Sequence, residues 1–182
     1  MEKKARLLKR TTVYTSEWVR LHKDRVEFPG GLTVEDHHCV DFPKQGVGVI
    51  VTDSQNRLLM IRSHRYIFDA VEWEIPAGSF EPEKEEVLAA AAREAREESG
   101  YETEHHRLVY VYYPMTGMCR AVFHLVRCNA RGEGGSFDPN EVAGVSWKTR
   151  EAVEEMLRTG QIRDGFTLTG IFLYLTGFDR PS

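Results

Sequence analysis

The chain has 182 residues, 41% of them hydrophobic and 29% charged, with a formal net charge of −4. That length holds one domain, or one domain with a small appendage, and can bury a substantial core. The negative balance argues against a general nucleic-acid binder, which carries a basic face, and an anionic substrate would need local arginines or metal ions.

Residues 1–6 form no apolar segment of signal-peptide type, and no run of about 18 apolar residues follows, so no membrane span is expected. Residues 11–42 read as β-rich. Thr12 to Thr15 are β-prone, and residues 18–28 alternate apolar and polar, with Trp18 out of phase with Leu21. Pro29-Gly30-Gly31 marks a turn and residues 32–40 run back, which predicts a hairpin too small to be stable alone. Residues 46–52 are a buried-type strand, Asp53 to Asn56 a turn, and residues 57–62 the returning strand. Residues 63–70 read as a loop or strand end, and residues 72–78 alternate up to Pro76, where the strand stops or lies on an edge. Strands are expected over 107–113 and 119–128, with a loop over 114–118 between them. Residues 131–141, punctuated by Gly and Pro, read as a mobile surface loop. A short strand over 141–148 precedes Thr149, which can cap a helix over 150–159. Apolar residues at 168, 171, 172 and 175 give a last helix, with Gly170 inside it. Strands, a helix, more strands and two helices argue for an α+β layer fold in which helices cover a mixed sheet. Cys39, Cys119 and Cys128 are an odd number without a CxxC pair, which suits a reducing compartment and a cytoplasmic protein.

Residues 78–101 stand apart. Ala89 to Ala92 are strong helix formers, Glu83, Glu85 and Glu86 sit near the helix start, and Gly100 sits where a left-handed stop is expected. Glu94, Glu97 and Glu98 are spaced i, i+3 and i+4, so they share one face of the last turns, where the helix dipole disfavours anions. A solvated acidic face is one reading of that pattern. A bound divalent cation is the other, because hard cations such as Mg²⁺ take carboxylate oxygens.

The pattern Glu85-x7-Arg93-Glu94-Ala95-x-Glu97-Glu98-x-Gly100-Tyr101, preceded by Gly78, resembles the Nudix box, Gly-x5-Glu-x7-Arg-Glu-U-x-Glu-Glu-x-Gly-U, where U is bulky and apolar. Six residues rather than five separate Gly78 from Glu85. Either the loop carries one extra residue or Lys84 replaces the first glutamate, and the insertion is preferred because it keeps the helix register from Glu85 to Gly100 intact. The wider chain resembles the ADP-ribose and nucleoside-diphosphate-sugar pyrophosphatase branch of that family. Ser63-His-Arg-Tyr66 is similar to its Gln-Tyr-Arg-Tyr segment, Glu74-Ile-Pro-Ala-Gly78 to its Glu-x-Pro-Ala-Gly segment, and residues 158–168 to its closing helix pair. Pro114 resembles a downstream proline associated with ADP-ribose, although it falls closer to the box.

The resemblance implies a Nudix-type α/β/α sandwich with a mixed central sheet over 44–182. It also implies a small N-terminal antiparallel β-layer over 1–43 for dimerisation and base binding. It implies Mg²⁺-dependent hydrolysis of the pyrophosphate of a nucleoside diphosphate sugar, with Mn²⁺ as a substitute, and ADP-ribose giving AMP and ribose 5-phosphate as the first expectation. GDP- or CDP-linked sugars are the alternative, and a non-catalytic ligand sensor of the same fold is a third. The metal ligands implied are Glu94 and Glu98, with Glu97 shared and the Ala77 carbonyl added. Arg93 would orient the glutamates. Glu141 would act as general base or further ligand, with Asp138 and Glu133 behind it. Arg65 is a candidate phosphate clamp, Glu74 a metal-site support or substrate contact, and Trp18 a base-stacking residue. His37, His38, His105 and His106 read as surface histidines, since adjacent residues point apart on a strand. The expected assembly is a homodimer acting on a small nucleotide sugar, with no nucleic-acid or membrane partner.

Overall fold

The computed structural model describes residues 3–178. Its elements are β1 (Arg6–Thr15), β2 (Arg20–Glu27), β3 (Thr33–Asp41), β4 (Gln45–Thr52), β5 (Leu58–Arg65), β6 (Ala70–Glu74), β7 (Ala77–Phe80), α1 (Val87–Ser99), β8 (Glu102–Tyr112), β9 (Cys119–Arg120), β10 (Phe123–Arg131), β11 (Val142–Lys148), α2 (Arg150–Arg158) and α3 (Gly165–Thr176). A one-turn 3₁₀ helix, Tyr66–Phe68, joins β5 to β6. Backbone contacts divide the chain into two compact units. One holds residues up to Gln45 together with Tyr113–Val122, and the other holds Gly46–Tyr112 and the chain from Phe123 onward.

The first unit is a four-stranded sheet in the order β1-β2-β3-β9. The hairpin turn closes where the Phe28 N–H donates to the Leu32 carbonyl at 2.8 Å, and Gly31 supplies the left-handed residue, with φ of 89°. The buried positions of β2 are polar: His22 and Asp24. Each buried aspartate of this sheet has a guanidinium partner. Arg10 binds Asp24 through Nε and Nη2 at 2.8 and 2.6 Å, and Arg120 binds Asp41 in the same fork at 2.8 and 2.6 Å. These pairs leave no buried charge uncompensated. Residues 119–128, expected as one strand, are two. Cys119 and Arg120 pair in parallel with Val40 and Asp41 of β3, and a new strand begins at Phe123 in the other sheet.

The second unit is a seven-stranded mixed sheet with helices on both faces. Its main path runs β11-β5-β4-β10-β8, and the β4–β10 pair is parallel. Alternation along β4 separates two cores, as period-2 side-chain geometry requires. Val47, Val49 and Val51 pack with Ala90, Ala91 and Ala95 of α1. Ile50 packs with Val153 and Met156 of α2 and with Ile171 and Leu173 of α3. Thr149 caps α2, accepting from the Ala152 N–H, and Asp164 caps α3, accepting from the Thr167 N–H. The α+β sandwich with a mixed sheet is thus the observed architecture.

One departure from a plain sheet positions the site. β4 and β5 meet at a single register pair, Thr52 with Leu58. Beyond it β6 pairs β5 and β7 pairs β4, so residues 70–80 fill the fork between the two strands. Pro76, with no N–H to give, falls between β6 and β7, and its carbonyl accepts from the Val49 N–H at 2.8 Å.

Candidate active site

Helix α1 starts after Glu86 and stops at Gly100, whose φ of 74° is the left-handed stop expected from the sequence. Its inward face is alanine, which lets it lie close on β4. Its last two turns carry Glu94, Glu97 and Glu98. Glu94 and Glu98 are buried, at 8% and 6% exposure, and Glu97 faces solvent. Burial pushes the Glu98 carboxyl up to about 8, opposed by a 2.7 Å hydrogen bond from the Ala77 N–H and reinforced by the charges of Glu94 and Glu141. Glu94 is raised as well, first by burial, with Arg93 opposing and Glu97 and Glu141 adding.

Arg93 organises this end of the helix. Its Nε and Nη2 bind Glu85 at 3.0 and 2.9 Å, its Nη1 reaches Glu94 at 2.7 Å and Glu97 at 3.1 Å, and Nη2 also donates to the Ser79 carbonyl at 3.3 Å. The pairing decides between the two alignments of the box. Glu85, not Lys84, stands as the glutamate opposite Arg93, while Lys84 pairs with Glu81. The extra residue therefore lies in the turn at 81–85, where the Lys84 and Glu85 N–H groups both donate to the Glu81 carbonyl. Gly78 is needed for close approach: a Cβ there would lie 2.1 to 2.3 Å from the Glu94 carboxylate.

Arg65 and Glu74, expected separately as phosphate clamp and site support, are each other's partners. Arg65 Nε and Nη2 meet the two carboxylate oxygens at 2.7 and 2.5 Å. Glu74 is 4% exposed. Arg65 also feels Glu98 and Asp164, so it stands between the helix carboxylates and the start of α3. Beside it lies a cleft of about 320 Å³ lined by Arg65, Phe68, Ala70, Glu72, Glu74, Arg163 and Asp164. Glu72, Arg163, Asp164 and Phe68 were not singled out from sequence. Glu72 and Arg163 are 91 residues apart, and no local pattern announces a pair at that distance.

The 131–141 loop is tied to the end of α1. The Gly135 N–H donates to the Gly100 carbonyl at 2.7 Å and the Asp138 N–H to the Glu97 carbonyl at 3.3 Å. These bonds occupy carbonyls that a helix end leaves without internal partners. Asp138 spends one carboxylate oxygen on the Asn140 N–H and side-chain amide, at 2.8 and 2.7 Å. Glu141 is exposed, its carbonyl accepts from the His64 N–H at 3.1 Å, and its charge acts on both Glu94 and Glu98. Trp18 lies in the other unit, in the turn between β1 and β2. It is 60% exposed, with Lys44 Nζ 4.0 Å above its ring. Of the four histidines read as surface, His38 and His105 are exposed and His37 and His106 are half-buried.

The donor set suits a hard divalent cation. Two buried carboxylates, both within the field of Glu141, and a third on the same helix face concentrate acidic groups that Arg93 and Arg65 only partly balance. As the side chains stand, Arg93 holds Glu94 and Glu97, and Ala77 holds Glu98 through its N–H. Among the described residues no three His, Cys, Asp or Glu side chains already converge as ligands.

The NUDIX domain model matches residues 42–167, and the chain belongs to the Nudix family. The CMP-5'-(N-acetyl-N-hydroxy-3-aminopropyl)phosphonate hydrolase of Streptomyces rubellomurinus is 33% identical over 164 residues, covering 90% of this chain and 78% of that protein. The ADP-ribose pyrophosphatase of Mycobacterium tuberculosis is 25% identical over 177 residues, covering 93% of this chain and 84% of that one. A crystal structure of an ADP compounds hydrolase superposes with a TM-score of 0.82 at 18% identity, covering 96% of each chain, which speaks to the fold. The expected family, sandwich fold and enzyme class, a Nudix pyrophosphatase, are thereby borne out.

Proposed function

We propose that the chain hydrolyses the phosphoanhydride of a nucleoside diphosphate derivative with Mg²⁺ bound at Glu94, Glu97, Glu98 and the Ala77 backbone. The observation that carries this reading is the pair of buried, mutually repelling carboxylates Glu94 and Glu98 beside Glu141. Burial and repulsion push both carboxyls toward the protonated form, and a bound cation would hold them ionised. A bound cation would supply charge neutralisation at the phosphates and a more acidic water. The protein's own groups do the rest. Arg93 fixes the positions of Glu94 and Glu97, and Ala77 fixes Glu98. Arg65, pre-oriented by Glu74, presents its remaining N–H donors to a phosphate oxygen. Glu141 takes the proton from the attacking water. Water adds across the P–O–P bond, so ADP-ribose would give AMP and ribose 5-phosphate.

ADP-ribose is the first substrate proposed, supported by the pyrophosphatase relative and by the Glu74 to Gly78 segment. A CMP-linked substrate is the second, because the phosphonate hydrolase has the higher identity of the two relatives described above. The N-terminal sheet, with β1 exposed along all ten residues, is proposed to form a homodimer, checked by light scattering at micromolar concentration, and Trp18 to stack the base. A cytoplasmic location fits the three free cysteines. Among the described residues no helix is long and apolar enough to cross a membrane.

Glu98→Gln tests the core of the proposal. It should leave a folded protein whose kcat on ADP-ribose falls by at least about a hundredfold, and EDTA should abolish wild-type turnover. Undiminished turnover in the variant, or a rate that survives chelation, would sink it.

A further inference from the structure

Between the end of β6 at Glu74 and the start of β7 at Ala77 the chain crosses the strand fork with little to fix it. The β5–β6 ladder stops at the pair Ile61 with Glu74. Pro76 has no N–H. The backbone N–H of Ile75 is therefore the one donor the crossing itself can offer, and Ile75 is fully buried. An unpaired N–H at that depth is costly. It is met from a helix 92 residues further on, where Thr167 Oγ1 of α3 accepts it at 3.2 Å.

The next peptide unit reaches the carboxylates of α1. The Pro76–Ala77 peptide is pinned at both ends: its carbonyl accepts from the Val49 N–H at 2.8 Å, and its N–H donates to Glu98 Oε2 at 2.7 Å. Val49 holds it from β4, and α3 holds the residue before it. The Ile75 side chain packs in one core with Ile171 and Leu173 of α3. Gly170, three residues after Thr167 and on the same helix face, lies close under Ile75 Cδ1. Thr167 is itself held, because Asp164 at the start of α3 accepts its N–H at 2.7 Å. Asp164 in turn acts on the charge of Arg65.

The residue type is informative. Thr167 is 1% exposed. Valine has the same shape and a similar helix propensity, and it would fill the space without a hydroxyl to bury. What threonine adds at this position is the acceptor for Ile75. We propose that Thr167 is a positioning residue for the cation site. By holding Ile75 it fixes the Pro76–Ala77 peptide, and with it the Ala77 backbone and the Glu98 carboxylate, in the arrangement that receives the cation. The proposal rests on the metal reading above and adds to it a residue from the last helix, which acts on the carboxylates of α1 through the strand fork.

Thr167→Val removes the acceptor and keeps the shape, whereas Thr167→Ser keeps the acceptor. In Thr167→Val the Mn²⁺ affinity measured by calorimetry should fall about tenfold or more. Amide exchange over residues 74–78 of the metal-free protein should quicken at least about tenfold. Thr167→Ser should stay within about twofold of wild type in both measurements. Val153→Ala, in the core under α2, gauges destabilisation alone: it should lower the melting temperature and leave Mn²⁺ affinity within about twofold of wild type. Affinity unchanged in folded Thr167→Val, or lost equally in Thr167→Ser or Val153→Ala, overturns the proposal. If Thr167→Val does not fold, the wild type decides. Its Ile75 amide should exchange as slowly as the ladder amides of β5, and exchange at the rate of a loop overturns the proposal. If the wild type binds no Mn²⁺, the metal reading fails instead. Thr167 is then judged by exchange over 74–78, where quickening in Thr167→Val supports its hold on the fork and an unchanged rate overturns it.

Discussion

At Gly78 the difference between glycine and alanine is one methyl group, and the geometry says where that methyl would go. Its nearest atoms belong to the Glu94 carboxylate, the far end of a flexible side chain. In Gly78→Ala the carboxylate can swing aside while the backbone stays, so the substitution should separate stability from chemistry. The expected result is a melting temperature within about 4 °C of wild type and a Mn²⁺ affinity, measured by calorimetry, about tenfold or more weaker. Unchanged affinity would mean that Glu94 does not hold the cation. The Gly78 requirement was visible in the sequence only as part of a motif. Its physical reason, a glutamate side chain lying against the Gly78 backbone, needed the strand fork and the helix to be brought together.

Among the elements, α3 shows how far periodicity reaches. The spacing of residues 168, 171, 172 and 175 predicts a helix, and a helix forms there. Gly170 counts against a helix there, since glycine costs about 1 kcal/mol in a helix interior. The structure supplies the compensation: a Cβ at position 170 would sit 2.6 Å from Ile75 Cδ1. Glycine lets α3 approach the strand fork at Ile75, and Thr167 on the same helix accepts the Ile75 N–H at 3.2 Å. Gly170→Val should therefore destabilise by about 1–3 kcal/mol despite removing a glycine from a helix. The urea midpoint would fall with the m-value unchanged, and a stabilised variant would refute the packing argument. The strand expected over 119–128 failed for the complementary reason. Its residues are all strand-compatible, but the first two are held by β3 and the Asp41–Arg120 pair, a partnership 79 residues apart in sequence. Local pattern cannot say which sheet a strand joins.

For the molecule as a whole, the two units are built on different principles. The larger has two apolar cores around a central sheet. The smaller buries Asp24 and Asp41 against arginines, with His22 and His37 nearby. Arg10 holds the Asp24 carboxyl below the usual range, and Arg120, with Arg20 and His22 adding, does the same for Asp41. A depressed carboxyl binds fewer protons folded than unfolded, so its stabilisation is complete above its unfolded value of about 4 and is lost as pH falls through the folded value. The melting temperature of the chain should thus drop on acidification below about pH 5. Asp24→Asn and Asp41→Asn should each lower the melting temperature at pH 7 and flatten the acid-side slope. A slope identical to wild type in both variants would remove these aspartates from the explanation.

The sequence by itself determined the helix, its left-handed stop, the three glutamates on one face, the layer class of the fold and the family. All of these rest on interactions between residues a few positions apart, where spacing fixes geometry. Tertiary structure paired Arg93 with Glu85, as the preferred alignment of the box expects, and it alone decided that Arg65 and Glu74 are one unit. It also decided that the 131–141 loop is bonded to the end of α1 and that Glu72 and Arg163 close a cleft. The forked strands, loops and helix starts bring these groups together, and burial then makes pairing obligatory, because a buried charge without a partner is too costly to keep.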